Sequence, residues 1–173
     1  MKKHILICGD VGVGKSTLIR KLILSAGKPV YGFATKRLTH EKDGFFPIYI
    51  HPADRPEEER TYSPDNYIGR CDGKIHDVKY DVFNKEGVRL IEGAKDDGLL
   101  IMDELGFMEA KAEKFVDAVF KALDGDVQII AAVKSRRDVP FLEEVRNHPK
   151  SEVFRITKEN RDQLYTELIK KLI

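Results

Sequence analysis

Apolar and polar positions alternate along this chain in two registers. Ile5-Leu6-Ile7-Cys8 is a short apolar run ended by glycine, the pattern of a strand buried on both faces. Thr17 to Ser25 then places Leu18, Ile19, Leu22 and Ile23 at helical spacing, and Gly27 and Pro29 stop that helix. Tyr31 to Leu38 and Phe45 to His51 read as an antiparallel hairpin around the polar turn His40-Glu41-Lys42-Asp43-Gly44. Asp54 to Arg60 is a charged loop. Asp72-Gly73 marks a turn between two short strands, Asn66 to Cys71 and Lys74 to Tyr80.

From Asp81 onward the texture returns to strands and helices in turn. Val88 to Lys95 reads as a helix, Leu99 to Met102 as a strand, and Ala110 to Leu123 as an amphipathic helix. Val127 to Val133 is a third apolar strand, Phe141 to Asn147 a short helix, Val153 to Ile156 a fourth strand, and Arg161 to Leu172 a closing helix. Buried strands alternating with helices predict an α/β fold, a mostly parallel sheet covered on both faces. The middle segment, about residues 31–80, reads as a β-rich antiparallel insertion on a single domain spanning 1–173.

Composition changes this picture little and excludes several classes. With 173 residues, 42% hydrophobic and 34% charged, the chain suits one globular core. A formal net charge of +1 offers no broad basic field for nucleic acid or an anionic membrane. The first apolar run is too short for a membrane span or signal core. Two cysteines without a close pair, Cys8 and Cys71, fit two reduced thiols in the cytoplasm. No protein partner is indicated.

The chemistry concentrates at Gly9-Asp10-Val11-Gly12-Val13-Gly14-Lys15-Ser16, a glycine, four residues, then Gly-Lys-Ser. Phosphate oxygens need several N–H donors from a backbone that wraps closely, and glycines permit that wrap. The helix opening at Thr17 adds its free N–H groups and the positive end of its dipole. Lys15 brings a mobile cation to the β- and γ-phosphates, and Ser16 a hydroxyl for magnesium. An apolar strand before the motif and a helix after it make a P-loop, and ATP or another nucleoside triphosphate with Mg2+ the expected ligand.

Leu99-Leu100-Ile101-Met102-Asp103-Glu104 is an apolar strand ending in two acids. If it runs parallel to the first strand, Asp103 arrives beside the phosphate site, where it can hold magnesium. Glu104, next along, can polarise a water in line with the γ-phosphate. Lys134, Arg136 and Arg137 follow the third strand and are candidates to stabilise charge in the reaction, with Arg136 the foremost and Arg70 weaker. The five histidines are scattered and form no cluster. Thr157-Lys158-Glu159-Asn160-Arg161 echoes the guanine-reading pattern of GTPases, with Asn160 where an aspartate should stand. Asn160 there either touches the base, with guanine selectivity blurred, or caps the final helix.

Taken together these residues resemble the small P-loop nucleoside-triphosphatases related to the human cancer-related enzyme, which have bacterial and archaeal members. The specific stretches are Asp103-Glu104-Leu105-Gly106-Phe107-Met108-Glu109 and Glu159-Asn160-Arg161-Asp162, and the likeness covers nearly the whole chain. The resemblance implies a RecA-like core with Glu104 between parallel strands. It also implies Mg2+-dependent hydrolysis of NTP to NDP and phosphate with broad base tolerance. Phe107 departs from the family's usual Pro or Lys, and Lys134-Ser135-Arg136-Arg137 has no secure counterpart. A nucleotide or small-molecule kinase and a GTPase-like switch are the alternatives that the P-loop alone leaves open.

Overall fold

The computed structural model describes residues 3–39, 44–71 and 76–172. Residues 40–43 of the turn expected over His40–Gly44, and the turn expected at Asp72-Gly73, lie outside the described residues. The strands are β1 (His4–Cys8), β2 (Val30–Arg37), β3 (Phe46–Pro52), β4 (Tyr67–Cys71), β5 (His76–Val78), β6 (Leu99–Leu105), β7 (Gln128–Val133) and β8 (Ser151–Arg155). They form one sheet in the order β5-β4-β3-β2-β6-β7-β1-β8. β2, β6, β7, β1 and β8 run parallel, and β3, β4 and β5 continue the sheet antiparallel. The mostly parallel sheet and its antiparallel extension agree with the sequence pattern. The hairpin of β2 and β3 is antiparallel as expected, but β2 also pairs in parallel with β6 and so belongs to the parallel core.

The helices are α1 (Lys15–Ala26), α2 (Tyr80–Val82), α3 (Val88–Glu92), α4 (Glu113–Asp124), α5 (Pro140–Arg146) and α6 (Arg161–Ile169). α1 and α6 bury Leu18, Ile19, Leu22, Leu164 and Leu168 against one face of the sheet, on Ile5, Ile7, Ile101 and Ile130. α3, α4 and α5 bury Leu90, Phe115, Val119 and Leu142 against the other, on Leu6, Leu100, Met102 and Ala131. Consecutive residues of β1, β6 and β7 thus enter opposite cores, which explains their unbroken apolar runs. Each fully buried side chain of this kind contributes about 2 kcal/mol.

Two stretches differ from the sequence pattern. The chain turns helical at Tyr80, where a strand was expected to end, and passes through a π-helical turn, Phe83–Gly87, into α3. Gly87, which weakens helix propensity, serves packing: a Cβ there would lie 2.6 Å from the Phe115 ring. Phe83 and Phe115 meet edge to face in the same place, with centroids 5.2 Å apart. The helix expected over Ala110–Leu123 is split into a 3-10 turn, Met108–Lys111, and α4, because Ala112 leaves helical geometry with ψ of 88°.

β6 is longer than its apolar run and carries both acids within it. Asp103 pairs with Ala132 and Leu105 with Val133, so Glu104 is an extra residue opposite no partner. The Asp103–Glu104 peptide is cis. Such a bulge re-aims side chains at a strand end.

The contact of β2 with β6 admits nothing larger than glycine at position 32. Gly32 has φ of 93°, and a Cβ would fall 2.0 Å from the Ile101 carbonyl oxygen. Gly32→Ala is expected to lower unfolding free energy by about 3 kcal/mol or more, read from denaturant unfolding. A loss under about 1 kcal/mol would contradict this register.

Candidate active site

The P-loop joins β1 to α1. Gly14 caps α1 in the left-handed region with φ of 103°. Leu18 is the first residue bonded back into the helix, its N–H donating to the Gly14 carbonyl at 2.9 Å. The N–H groups of Lys15, Ser16 and Thr17 therefore precede the helical ladder and are open to an anion, with the dipole behind them. Lys15 is buried and its Nζ donates to the carbonyls of Gly9 (2.9 Å) and Asp10 (3.1 Å). Asp10, Val11 and Gly12 stand exposed at the crest, and Val13 packs beneath it in the core.

Parallel strands end at one edge of the sheet, and the P-loop and the acids of β6 both sit on it. β7 lies between β1 and β6, so Asp103 reaches the P-loop across one strand. The Ser16 hydroxyl donates to Asp103 Oδ1 at 3.0 Å. Burial pushes the Asp103 carboxyl above its ordinary value; the Ser16 bond opposes the rise and neighbouring Glu104 adds to it. A half-buried carboxylate and a hydroxyl converging this closely are hard oxygen donors that suit Mg2+. Among the described residues no group of three or more His, Cys, Asp or Glu side chains could hold a metal. Phosphate oxygens and water would complete the shell, as nucleotide-bound magnesium requires.

A cavity of about 490 Å³ runs from the P-loop past both acids. Glu104 lies in it between two cations, 3.8 Å from Lys15 Nζ and 3.7 Å from Lys134 Nζ. Lys134 is the finger candidate that the fold brings to this acid. Arg136 is turned elsewhere: it forms a two-bond pair with Asp138 at 3.0 and 2.5 Å and stacks 4.6 Å over the Phe107 ring. Arg137 is exposed, and Arg70 lies on β4 over Phe45, off the cavity lining.

Three supports escaped sequence reasoning. Arg146 donates to the Lys134 and Arg136 carbonyls, each at 2.6 Å, and fixes the loop that carries Lys134. Phe107 offers its ring to Lys134 at 5.2 Å. Glu109 is buried and accepts a hydrogen bond from the Gly106 N–H, closing the turn after β6. Burial pushes its carboxyl up to about 7, against the Gly106 bond. Only Glu109 had a sequence signal, its place in the Asp-Glu-x-Gly-x-Met-Glu stretch. Arg146 and Phe107 act through tertiary contacts that no local pattern encodes.

At the other end of the P-loop, the Asn160 amide is engaged by its own loop. Its oxygen accepts from the Thr157 N–H at 2.7 Å and its nitrogen donates to the Arg155 carbonyl at 2.9 Å. It begins α6 without a side-chain bond to the helix. The cleft of about 250 Å³ beside Gly14 is lined by Thr17, Lys21, Arg161, Asp162 and Tyr165, and Asn160 is not in it.

Known proteins carry the same architecture. A family model described as NTPase matches residues 4–169. The nucleoside-triphosphatase THEP1 of Thermotoga maritima is 34% identical over 97% of this chain and 94% of its own. The human cancer-related nucleoside-triphosphatase is 28% identical, covering 98% of this chain and 96% of its own. The crystal structure of THEP1 from Aquifex aeolicus superposes with a TM-score of 0.74 at 28% identity, over 99% of each chain. With the strand order, the P-loop and the facing acids already in place, these matches make the chain a member of the nucleoside-triphosphatase family of hydrolases.

Proposed function

We propose that this protein hydrolyses nucleoside triphosphates to diphosphate and phosphate with Mg2+ and with little discrimination among bases. One observation carries the reading: Glu104 sits between Lys15 and Lys134, next to the Ser16–Asp103 pair. The P-loop N–H groups and Lys15 would hold the β- and γ-phosphates. Ser16 and Asp103 would hold the magnesium ion, which neutralises phosphate charge.

Water then attacks the γ-phosphorus while Glu104 takes its proton. The bond from that phosphorus to the bridging oxygen breaks, and the diphosphate keeps the electron pair. Charge developing on the transferred group meets cations already in position, Lys15 from one side and Lys134 from the other. Lys134 is the better placed of the finger candidates, since Arg136 is held by Asp138.

Loose reading of the base rests on the cleft beside Gly14. Its side chains mix donors and acceptors: Thr17, Lys21, Arg161, Asp162 and Tyr165. Discrimination by orders of magnitude needs a closed site whose buried polar groups go unpaired with the wrong base. These groups lie on an open cleft at a helix start, where water can replace a missing partner.

Three outcomes follow. Glu104→Gln keeps the side-chain shape and removes the base; kcat should fall at least about 100-fold while nucleotide affinity holds. Turnover at the wild-type rate would refute the role of Glu104. Lys134→Ala should lower kcat at least about tenfold and Arg136→Ala by less than about threefold, both by phosphate release. The reverse ranking would return the finger to Arg136. Values of kcat/KM for ATP, GTP, CTP and UTP should agree within about tenfold. A preference of about 1000-fold for one base would refute loose reading.

A further inference from the structure

A second cleft, of about 580 Å³, opens between α1 and the segment that follows β3. It shares Ser16, Thr35 and Asp103 with the phosphate cavity and so adjoins the proposed metal position. Arg20 enters it from α1, one helical turn beyond Ser16 on the same face. Arg55 and Arg60 enter from the opposite wall.

The charges in this cleft are unevenly matched. Lys36 pairs with Glu57 at 2.7 Å, and Ser16 engages Asp103. Arg20, Arg55 and Arg60 make no side-chain hydrogen bond or close ion pair among the described residues; at longer range Arg20 and Arg60 attract Glu57, Arg20 attracts Asp103 and Arg55 attracts Glu86, and Asp54 is the one further carboxylate lining the cleft. The Arg60 Nε–H is moreover buried without an acceptor. A buried donor left unpaired costs free energy that an incoming oxygen would recover. Behind the cleft, buried His51 feels the same excess. Its pKa is lowered to about 4, first by burial and then by the positive charges of Arg60 and Arg55.

Guanidinium groups present planar forks of N–H donors that fit the oxygens of phosphate. The cleft is larger than one phosphate, and Ile19, Ile23 and Leu24 of α1 give it an apolar wall. We propose that this cleft is a second oxyanion site, which takes inorganic phosphate or the phosphate end of a small phosphomonoester beside the Ser16–Asp103 pair. Arg20, Arg55 and Arg60 are its ligands. The site adjoins the P-loop at Ser16, but its three arginine ligands lie outside that loop and do not depend on the role given to Glu104.

Calorimetric titration of the whole protein tests this with inorganic phosphate, in the presence of saturating Mg2+ and a non-hydrolysable triphosphate analogue. The analogue fills the P-loop, so remaining phosphate binding reports on the cleft. The wild type should bind phosphate under these conditions. Arg55→Ala with Arg60→Ala should weaken that binding at least about tenfold and leave analogue affinity, the check on folding, in place. Arg20→Gln, on the exposed face of α1, should weaken phosphate binding on its own and serves if the double variant does not fold. Ribose 5-phosphate binding more tightly than inorganic phosphate identifies a monoester site; equal binding identifies a site for the free ion. Phosphate binding only without the analogue, or binding undiminished in the folded variants, would overturn the proposal. The readout involves no turnover, so an absence of hydrolysis would count against Glu104 alone.

Discussion

The site depends on one contact between distant parts of the chain, the hydrogen bond from Ser16 to Asp103 at 3.0 Å. Ser16 is placed by the first turn of α1 and Asp103 by the end of β6. They meet because β1, β7 and β6 run parallel and finish at one edge. Apolar side chains on both faces hold that register. A one-residue slip of β6 would exchange its two buried faces and carry Asp103 off the P-loop. Leu99 and Ile101 pack toward α1 while Leu100 and Met102 pack toward α4, so the core itself enforces the alignment of the acids.

The same edge concentrates charge that the protein alone leaves partly unbalanced. Asp103 and Glu109 are carboxyls whose burial favours the protonated form. Lys15 rests on two carbonyls and Lys134 on an aromatic face. Such an arrangement suits a ligand that brings its own charges, as the proposed magnesium ion and polyphosphate would. The cost of holding it is met by the two hydrophobic cores beneath the edge, consistent with the rule that strain and unpaired charge collect at functional sites.

Much of this was legible in the sequence because the decisive motifs are local. The P-loop is eight consecutive residues with a strand before and a helix after, and the acids of β6 complete their own apolar strand. The hairpin of β2 and β3 was likewise legible from two runs around a polar turn. Other features depend on partners far along the chain. Gly87 reads as a helix breaker until Phe115 is seen packed on it. Lys134 and Arg136 are both cations just past the third strand, and only their partners separate them, Glu104 for Lys134 and Asp138 for Arg136. Asn160 offered two roles on paper, base contact and helix cap, and the folded loop engages its amide with Thr157 and Arg155. The arginines of the second cleft come from α1 and from a charged loop that carries no motif, so no spacing pointed to them.

The most direct test of the account is a crystal structure of the protein with Mg2+, ADP and aluminium fluoride, which mimics the phosphoryl group in flight. The account predicts the metal between Ser16 and Asp103. It also predicts a water opposite the leaving oxygen in contact with Glu104, with Lys134 Nζ against the fluoride ligands. A structure in which Glu104 points away from that water, or in which a residue other than Asp103 reaches the metal side, would contradict it.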